Sequence, residues 1–348
     1  MNSNLVSNNK DIYVFYWLIC LTAMVFLMVL IGGLTRLTDS GLSMVHWRPI
    51  MGVIPPLNDS DWLQIFNEYK KSPEYQIVNQ FMNIQEFKYI YWWEWFHRFF
   101  ARFIGLVFII PLLYFLIKKK IKKKLFINLL LVFCFGIFQA VIGWWMVKSG
   151  LELNPYVSSY RLAFHLTNAV IILTILFWIS LNSLSNHDIN FIPSKSLEIV
   201  SFILIALIYL TIISGAFMAG SNAGQSFNTY PLMNGSIIPE GYFIDDYSYK
   251  NLFENTIAIN FNHRWLATFT FILIIFFAAY LYFSKIFNKY RAGIILILIF
   301  ACLQFILGIL TLLTNVKITF ASLHQINSML LLISFIYFYH SIKKERIF

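Results

Sequence analysis

Apolar residues run along this chain in blocks of about 20, separated by short basic turns and by longer aromatic stretches. Eight blocks, near 12–34, 93–117, 125–147, 161–182, 197–219, 257–284, 292–314 and 320–341, each predict a helix able to cross roughly 30 Å of hydrocarbon. The stretch between the first two adds one more element. Asp61 with Gln64 resembles a capping box, and Trp62, Ile65, Phe66 and Tyr69 follow at helical spacing. They predict a short amphipathic helix that lies on the membrane surface and covers the top of a bundle. Trp92, Trp93 and Trp95 then mark the interface as an aromatic belt. The segment Asn228–Gly235 is turn-forming and covers the other end of the molecule.

Composition agrees with this pattern. Of the 348 residues 59% are hydrophobic and 12% charged, where a soluble globular protein carries about 25% charged residues. A disordered chain, a nucleic-acid binder and an ordinary soluble enzyme are excluded. The fold class is all-α integral membrane, in contact with lipid. The net charge of +10 is a topology signal, because the lysines and arginines are unevenly placed. Lys118, Lys119, Lys120, Lys122, Lys123 and Lys124 fill the turn after the second span. Lys285, Lys289 and Arg291 follow the sixth, and Lys343, Lys344 and Arg346 follow the eighth. The positive-inside rule puts these segments and both termini in the cytoplasm. Met1–Asp11, with one lysine and no arginine, has neither a presequence nor a cleavable-signal pattern, which points to a bacterial inner membrane. Cys20, Cys134 and Cys302 fall inside spans and read as small core residues.

An internal repeat organises the chain. Glu94-Trp95-Phe96-His97-Arg98 returns as Asn260-Phe261-Asn262-His263-Arg264. Gln139 and Gly143 return as Gln304 and Gly308, and His165 with Asn168 as His324 with Asn327. Gly32 to Gly41 resembles Gly215 to Gly224, and Pro49 to Gly52 resembles Pro231 to Gly235. Four helices are therefore duplicated, as residues 1–185 and 186–348. An even number of spans per unit makes the repeat parallel, so the eight transmembrane helices form two parallel-repeat four-helix bundles, a common setting for cofactors.

His97, His165, His263 and His324 each begin an even-numbered span, so all four share one depth near the outer face. A single histidine there would read as a hydrogen bond between helices. Four at repeat-related positions, two per bundle, fit bis-histidine ligation of haem iron. His46, His187 and His340 look incidental. Arg98 and Arg264 follow their histidines directly, Arg161 precedes His165, and Arg102 lies one turn further on. Arg98 and Arg264 read equally as interfacial anchors or as partners of haem propionates; Arg102 reads as an anchor. The halves differ at Glu94, whose counterpart is Asn260. A carboxylate one turn from His97 suits acid, base or counter-charge chemistry in one half alone. The other use for it is an interfacial pairing with Arg98 or with a loop lysine.

Gly32–Ser43, Glu94–Arg98, Asn228–Gly235 and Asn260–Ala267 together closely resemble haem A synthases, of the mitochondrial and alphaproteobacterial branch, over about residues 12–341. The cysteine pair that another branch carries in its first outer loop is missing. The resemblance implies an oxidoreductase that converts the C8 methyl of haem O to a formyl group, giving haem A for terminal oxidases, with water as the oxygen source. It implies haem b held by His263 and His324 in the C-terminal half. His97 and His165 would flank the substrate haem in the N-terminal half, with Glu94 beside the reacting edge. Haem O synthase and an electron acceptor are the implied partners, and self-association stays open. The competing readings are a di-haem b cytochrome that only transfers electrons and a parallel-repeat transporter. Histidines confined to one interface, without a ladder across the bilayer, argue against the first. Odd-numbered spans without interior charge argue against the second.

Overall fold

The computed structural model describes residues 12–47, 51–152, 154–184, 194–284 and 287–346. Met1–Asp11, Pro49, His187, Lys285 and the 185/186 boundary lie outside them. Among the described residues ten α-helices are formed: α1 (Ile12–Leu37), α2 (Asp59–Tyr69), α3 (Pro73–Ile77), α4 (Ile84–Ile117), α5 (Lys123–Leu151), α6 (Ser159–Leu184), α7 (Lys195–Gly220), α8 (Thr256–Tyr282), α9 (Phe287–Leu313) and α10 (Ile318–Arg346). All but α2 and α3 are long and apolar enough to cross a membrane, which makes the chain a multi-pass membrane protein.

Two boundaries differ from the sequence reading. Helix α4 begins at Ile84, ahead of the expected 93, because Asn83 and Glu86 form a capping box. Asn83 Oδ1 accepts from the Gln85 and Glu86 N–H groups, and Glu86 Oε2 accepts from the Asn83 N–H at 2.8 Å. The short helix is present, but Asn58 starts it, accepting from the Asp61 N–H at 2.8 Å; Asp61 is already inside. Its apolar face is covered by protein. Trp62, Phe66 and Tyr69 join Met44 and the extension of α4 (Phe87, Ile90, Tyr91) in a separate apolar cluster, with Phe66 stacked on Phe87 at 5.0 Å. So α2 packs on Met44 and on the extension of α4.

In the C-terminal half α7, α8, α9 and α10 close a ring, each packed on the next and α10 back on α7. In the N-terminal half α4 packs on α1, α1 on α6, and α6 on α5. Along the fourth seam the backbones of α4 and α5 stay apart over most of their length. Contacts of α1 with α10 and of α6 with both α7 and α10 join the halves around a core that includes Leu18, Leu21, Leu173, Leu332 and Phe335, all fully buried. Polar groups fix the join. Gln325 Nε2 donates to Val29 O at 2.9 Å, beside Gly33, where any side chain would run into Gln325. Arg36 donates to Ala219 O at 2.6 Å and to Asn222. At the lysine-bearing end, His340 and Asn182 hydrogen-bond at 2.9 Å, so His340 ties α10 to α6.

Candidate functional site

All four repeat-related histidines are half-buried at the end of the bundle that carries the long loops. Each is seated on a glycine of a neighbouring helix. A Cβ on Gly32 of α1 would meet the His97 ring at 3.2 Å, and one on Gly215 of α7 would meet His263 at 3.2 Å. Gly143 of α5 and Gly308 of α9 stand in the same relation to His165 and His324, at 2.9 and 3.0 Å. These glycines are needed for close approach. Their spacing was visible in the repeat, but their task shows only when the helices come together. His97 and His165 thus stand on helices of one half, and His263 and His324 on helices of the other.

A polar second layer follows the repeat. Asn168 Nδ2 donates to Gln139 Oε1 at 2.6 Å, and the Gln139 amide contacts His165 Nε2 at 3.2 Å. Asn327 Nδ2 donates to Gln304 Oε1 at 2.8 Å, and the Gln304 amide lies 3.2 Å from His324 Nδ1. One element of the layer is not duplicated. Ser214 Oγ lies 2.7 Å from His263 Nδ1, whereas Ile31 occupies the matching place before Gly32. A hydroxyl on Nδ1 fixes the ring and leaves Nε2 to bind a metal. Two imidazoles from facing helices suit the two axial positions of a haem, and His165 Nδ1 is buried without a hydrogen-bond partner. The residues present therefore fit such a group. Replacing Ser214 with alanine is expected to weaken haem retention in the C-terminal half by about 10–100-fold. A haem titration followed by absorbance checks this, and unchanged affinity would remove Ser214 from the site.

Glu94 is 2% exposed and fully engaged. Its Oε2 accepts from Ser43 Oγ at 2.7 Å and from the Met44 N–H at 2.8 Å, and its Oε1 accepts from Arg98 Nη2 at 2.5 Å. Arg98 also donates to Met44 O at 3.2 Å and His46 O at 3.4 Å. The other half repeats the clamp with a neutral residue. Asn260, 0% exposed, donates to Ala223 O at 2.6 Å and accepts from Arg264 Nε at 2.7 Å. Arg264 donates to Thr229 O at 2.8 Å and Phe227 O at 2.5 Å. Both arginines thus fasten the loop that follows the first helix of their half, a use that required the loop's position and was not visible in the sequence. Arg161 sits over the Trp145 ring, 4.5 Å from its centroid, and donates to Trp145 O at 2.7 Å. Arg102 is half-buried further along α4.

Above this half, Tyr69 donates to Glu74 Oε2 at 2.8 Å and accepts from Asn79 Nδ2 at 2.9 Å. Burial pushes the Glu74 carboxyl up to about 8, with the nearby Glu94 charge adding to the shift, and pushes the Tyr69 phenol up as well. A raised carboxyl binds its proton more tightly in the folded state. The cap is therefore most stable below the ordinary carboxyl value of 4.5, and loses stability as pH rises towards about 8. The protection of the α2–α3 amides, taken relative to their intrinsic exchange at each pH, is expected to fall across that window, and Glu74→Gln to flatten the trend. An equal slope in the variant would assign the effect to another group.

Eight apolar helices with a histidine pair in each repeated half define a multi-pass membrane protein with two related sites at one end. The sequence profile of the COX15-CtaA family of cytochrome oxidase assembly proteins matches residues 15–336, and the chain belongs to that family. It is 41% identical to a heme A synthase of Nitrosospira multiformis over 331 residues, 94% of this chain and 93% of that protein. A heme A synthase of Wolbachia pipientis wMel is 40% identical over 336 residues, 94% and 92% of the two chains. One from the Wolbachia of Culex pipiens is 42% identical over 327 residues, 92% and 95%.

Proposed function

We propose that this chain oxidises the C8 methyl group of haem O to a formyl group, yielding haem A. His97 and His165 flank the substrate, and His263 and His324 hold haem b. The observation that carries the division of labour is the broken symmetry of the repeat. The pair in the C-terminal half has a hydroxyl anchoring one ring, as a permanently held cofactor requires, and a neutral Asn260 nearby. The N-terminal half lacks that anchor and puts a buried carboxylate in place of the amide.

With water as the oxygen source, the methyl group gives up about four electrons in all, and the matching protons come in equal shares from the methyl group and from the water. Bound in the C-terminal half, haem b supplies an electron-accepting centre. Glu94 does the local work. Its charge opposes positive charge developing at the oxidised carbon, and its Oε1 or Oε2 receives a proton released there. Ser43, Met44 N–H and Arg98 hold that carboxylate at a fixed place, so little reorganisation is needed as the charge develops. Haem propionates are anionic, and the rim that carries Arg98 and Arg264 suits them. The basic turns at the opposite end favour an inner-membrane orientation with the histidines outward and the termini cytoplasmic. Haem O synthase, as supplier of a membrane-bound substrate, and an external electron acceptor complete the scheme.

The test is to produce the full chain with a source of haem O, purify it, and separate the extracted haems. Haem B together with haem O, haem A or the alcohol between them is expected. Haem B alone, with no conversion of added haem O under electron-accepting conditions, would overturn the assignment in favour of an electron-transfer cytochrome.

A further inference from the structure

The halves differ in one more respect, far from their loops. In the C-terminal half Phe271 of α8 stacks on Phe305 of α9, with ring centroids 4.4 Å apart and planes 9° from parallel, and the two helices pack along each other. Counting from the paired histidines and glutamines, the same places in the N-terminal half are Gly105 of α4 and Ala140 of α5. Gly136, one turn from Ala140, takes the place of buried Ala301. A side chain added at Gly105 or at Gly136 would meet nothing within 4 Å, and Ala140 is exposed. Deeper in the membrane the seam is bridged again, by Phe108 stacked on Phe133 at 6.0 Å. The result is a lateral slot between α4 and α5, with an aromatic floor, where the other half has a double aromatic plug.

We infer that this slot receives the hydroxyethylfarnesyl chain of the substrate haem, letting the substrate pass between the lipid and the N-terminal site. The inference rests on the assignment of that half to haem O. Its occupant follows from depth and chemistry. Gly105 lies two turns below His97, about 12 Å along the helix axis. With iron at the histidines and propionates towards the loop-bearing end, the ring edge remote from the propionates points down to that level. The long apolar chain distinguishes haem O from haem B and leaves from that edge. A gap lined by glycine and alanine and open to hydrocarbon accepts it at no desolvation cost. The Phe271–Phe305 plug leaves no such room, so the closed half suits haem b, which has a vinyl group there.

The test uses the full-length protein with haem b in place, titrated in parallel with haem O and with haem B. Variants Gly105→Phe and Ala140→Leu fill the slot from either side. Each is expected to bind haem O at least about tenfold more weakly than the unchanged protein while binding haem B to the N-terminal half as before. The second variant, at an exposed site on α5, keeps the test decisive if the first does not fold, and the retained haem b spectrum reports folding. Unchanged haem O affinity in a folded variant would overturn the slot. A parallel His97→Ala titration separates the underlying assignment: haem O binding with an unaltered spectrum there would overturn the N-terminal substrate site, whatever the slot variants do.

Discussion

Exchanging Glu94 for glutamine is expected to abolish haem A formation, by a hundredfold or more on the scale of about 10²–10⁴ that positioned acid–base groups and charges contribute. The exchange keeps size and one acceptor oxygen, so Ser43 Oγ and the Met44 N–H retain a partner. It removes the negative charge and turns an amide towards Arg98, whose Nη2 lies 2.5 Å from the carboxylate. Some loosening of the loop at Met44 and His46 follows, since Arg98 holds both carbonyls. Two measurements separate that from chemistry. Haem b, on the proposed assignment held by the other half, is expected to stay at the level of the unchanged protein. Haem O accumulates bound but unconverted. Full haem A production by the variant, with normal haem content, would remove Glu94 from the reaction.

The second large effect divides the histidines. His263→Ala is expected to cut the haem b content of the purified protein about tenfold or more and to stop turnover, because the electron-accepting centre goes with it. His97→Ala is expected to leave the b-type spectrum in place and to stop turnover through loss of the substrate's seat. His97 has no counterpart of the Ser214 contact, so the N-terminal pair suits a group that comes and goes. The reverse result, a b-type spectrum that survives His263→Ala and disappears in His97→Ala, would exchange the roles of the two halves.

Much of this was legible in the residue order. Runs of apolar side chains marked the eight long helices, because crossing hydrocarbon demands an unbroken apolar length and a helical backbone. The duplication exposed the histidines, and a charged mismatch beside one of them exposed Glu94. What stayed hidden depended on neighbours distant in the chain. Asn58 and Asn83 set helix starts through single side-chain bonds to nearby N–H groups, which apolar periodicity does not register. Gly32, Gly143, Gly215 and Gly308 stood in repeated motifs, but a ring lying on each is a fact of tertiary contact. In sequence the arginines look like anchors or propionate partners, and the loop carbonyls that they fasten come from residues up to 54 positions away. Ser214 against Ile31, and Phe271 with Phe305 against Gly105 with Ala140, were present in the register of the repeat. Reading it residue by residue, beyond the conspicuous motifs, would have found them.

The gathering of both histidine pairs at one end of the bundle has an electrical consequence. On the proposed division of labour, an electron leaving the N-terminal half for the C-terminal half would travel along the plane of the membrane. A membrane potential does work only on charge displaced along the membrane normal, about 2.3 kcal/mol per elementary charge for each 100 mV. Passage between the halves is therefore electrically silent.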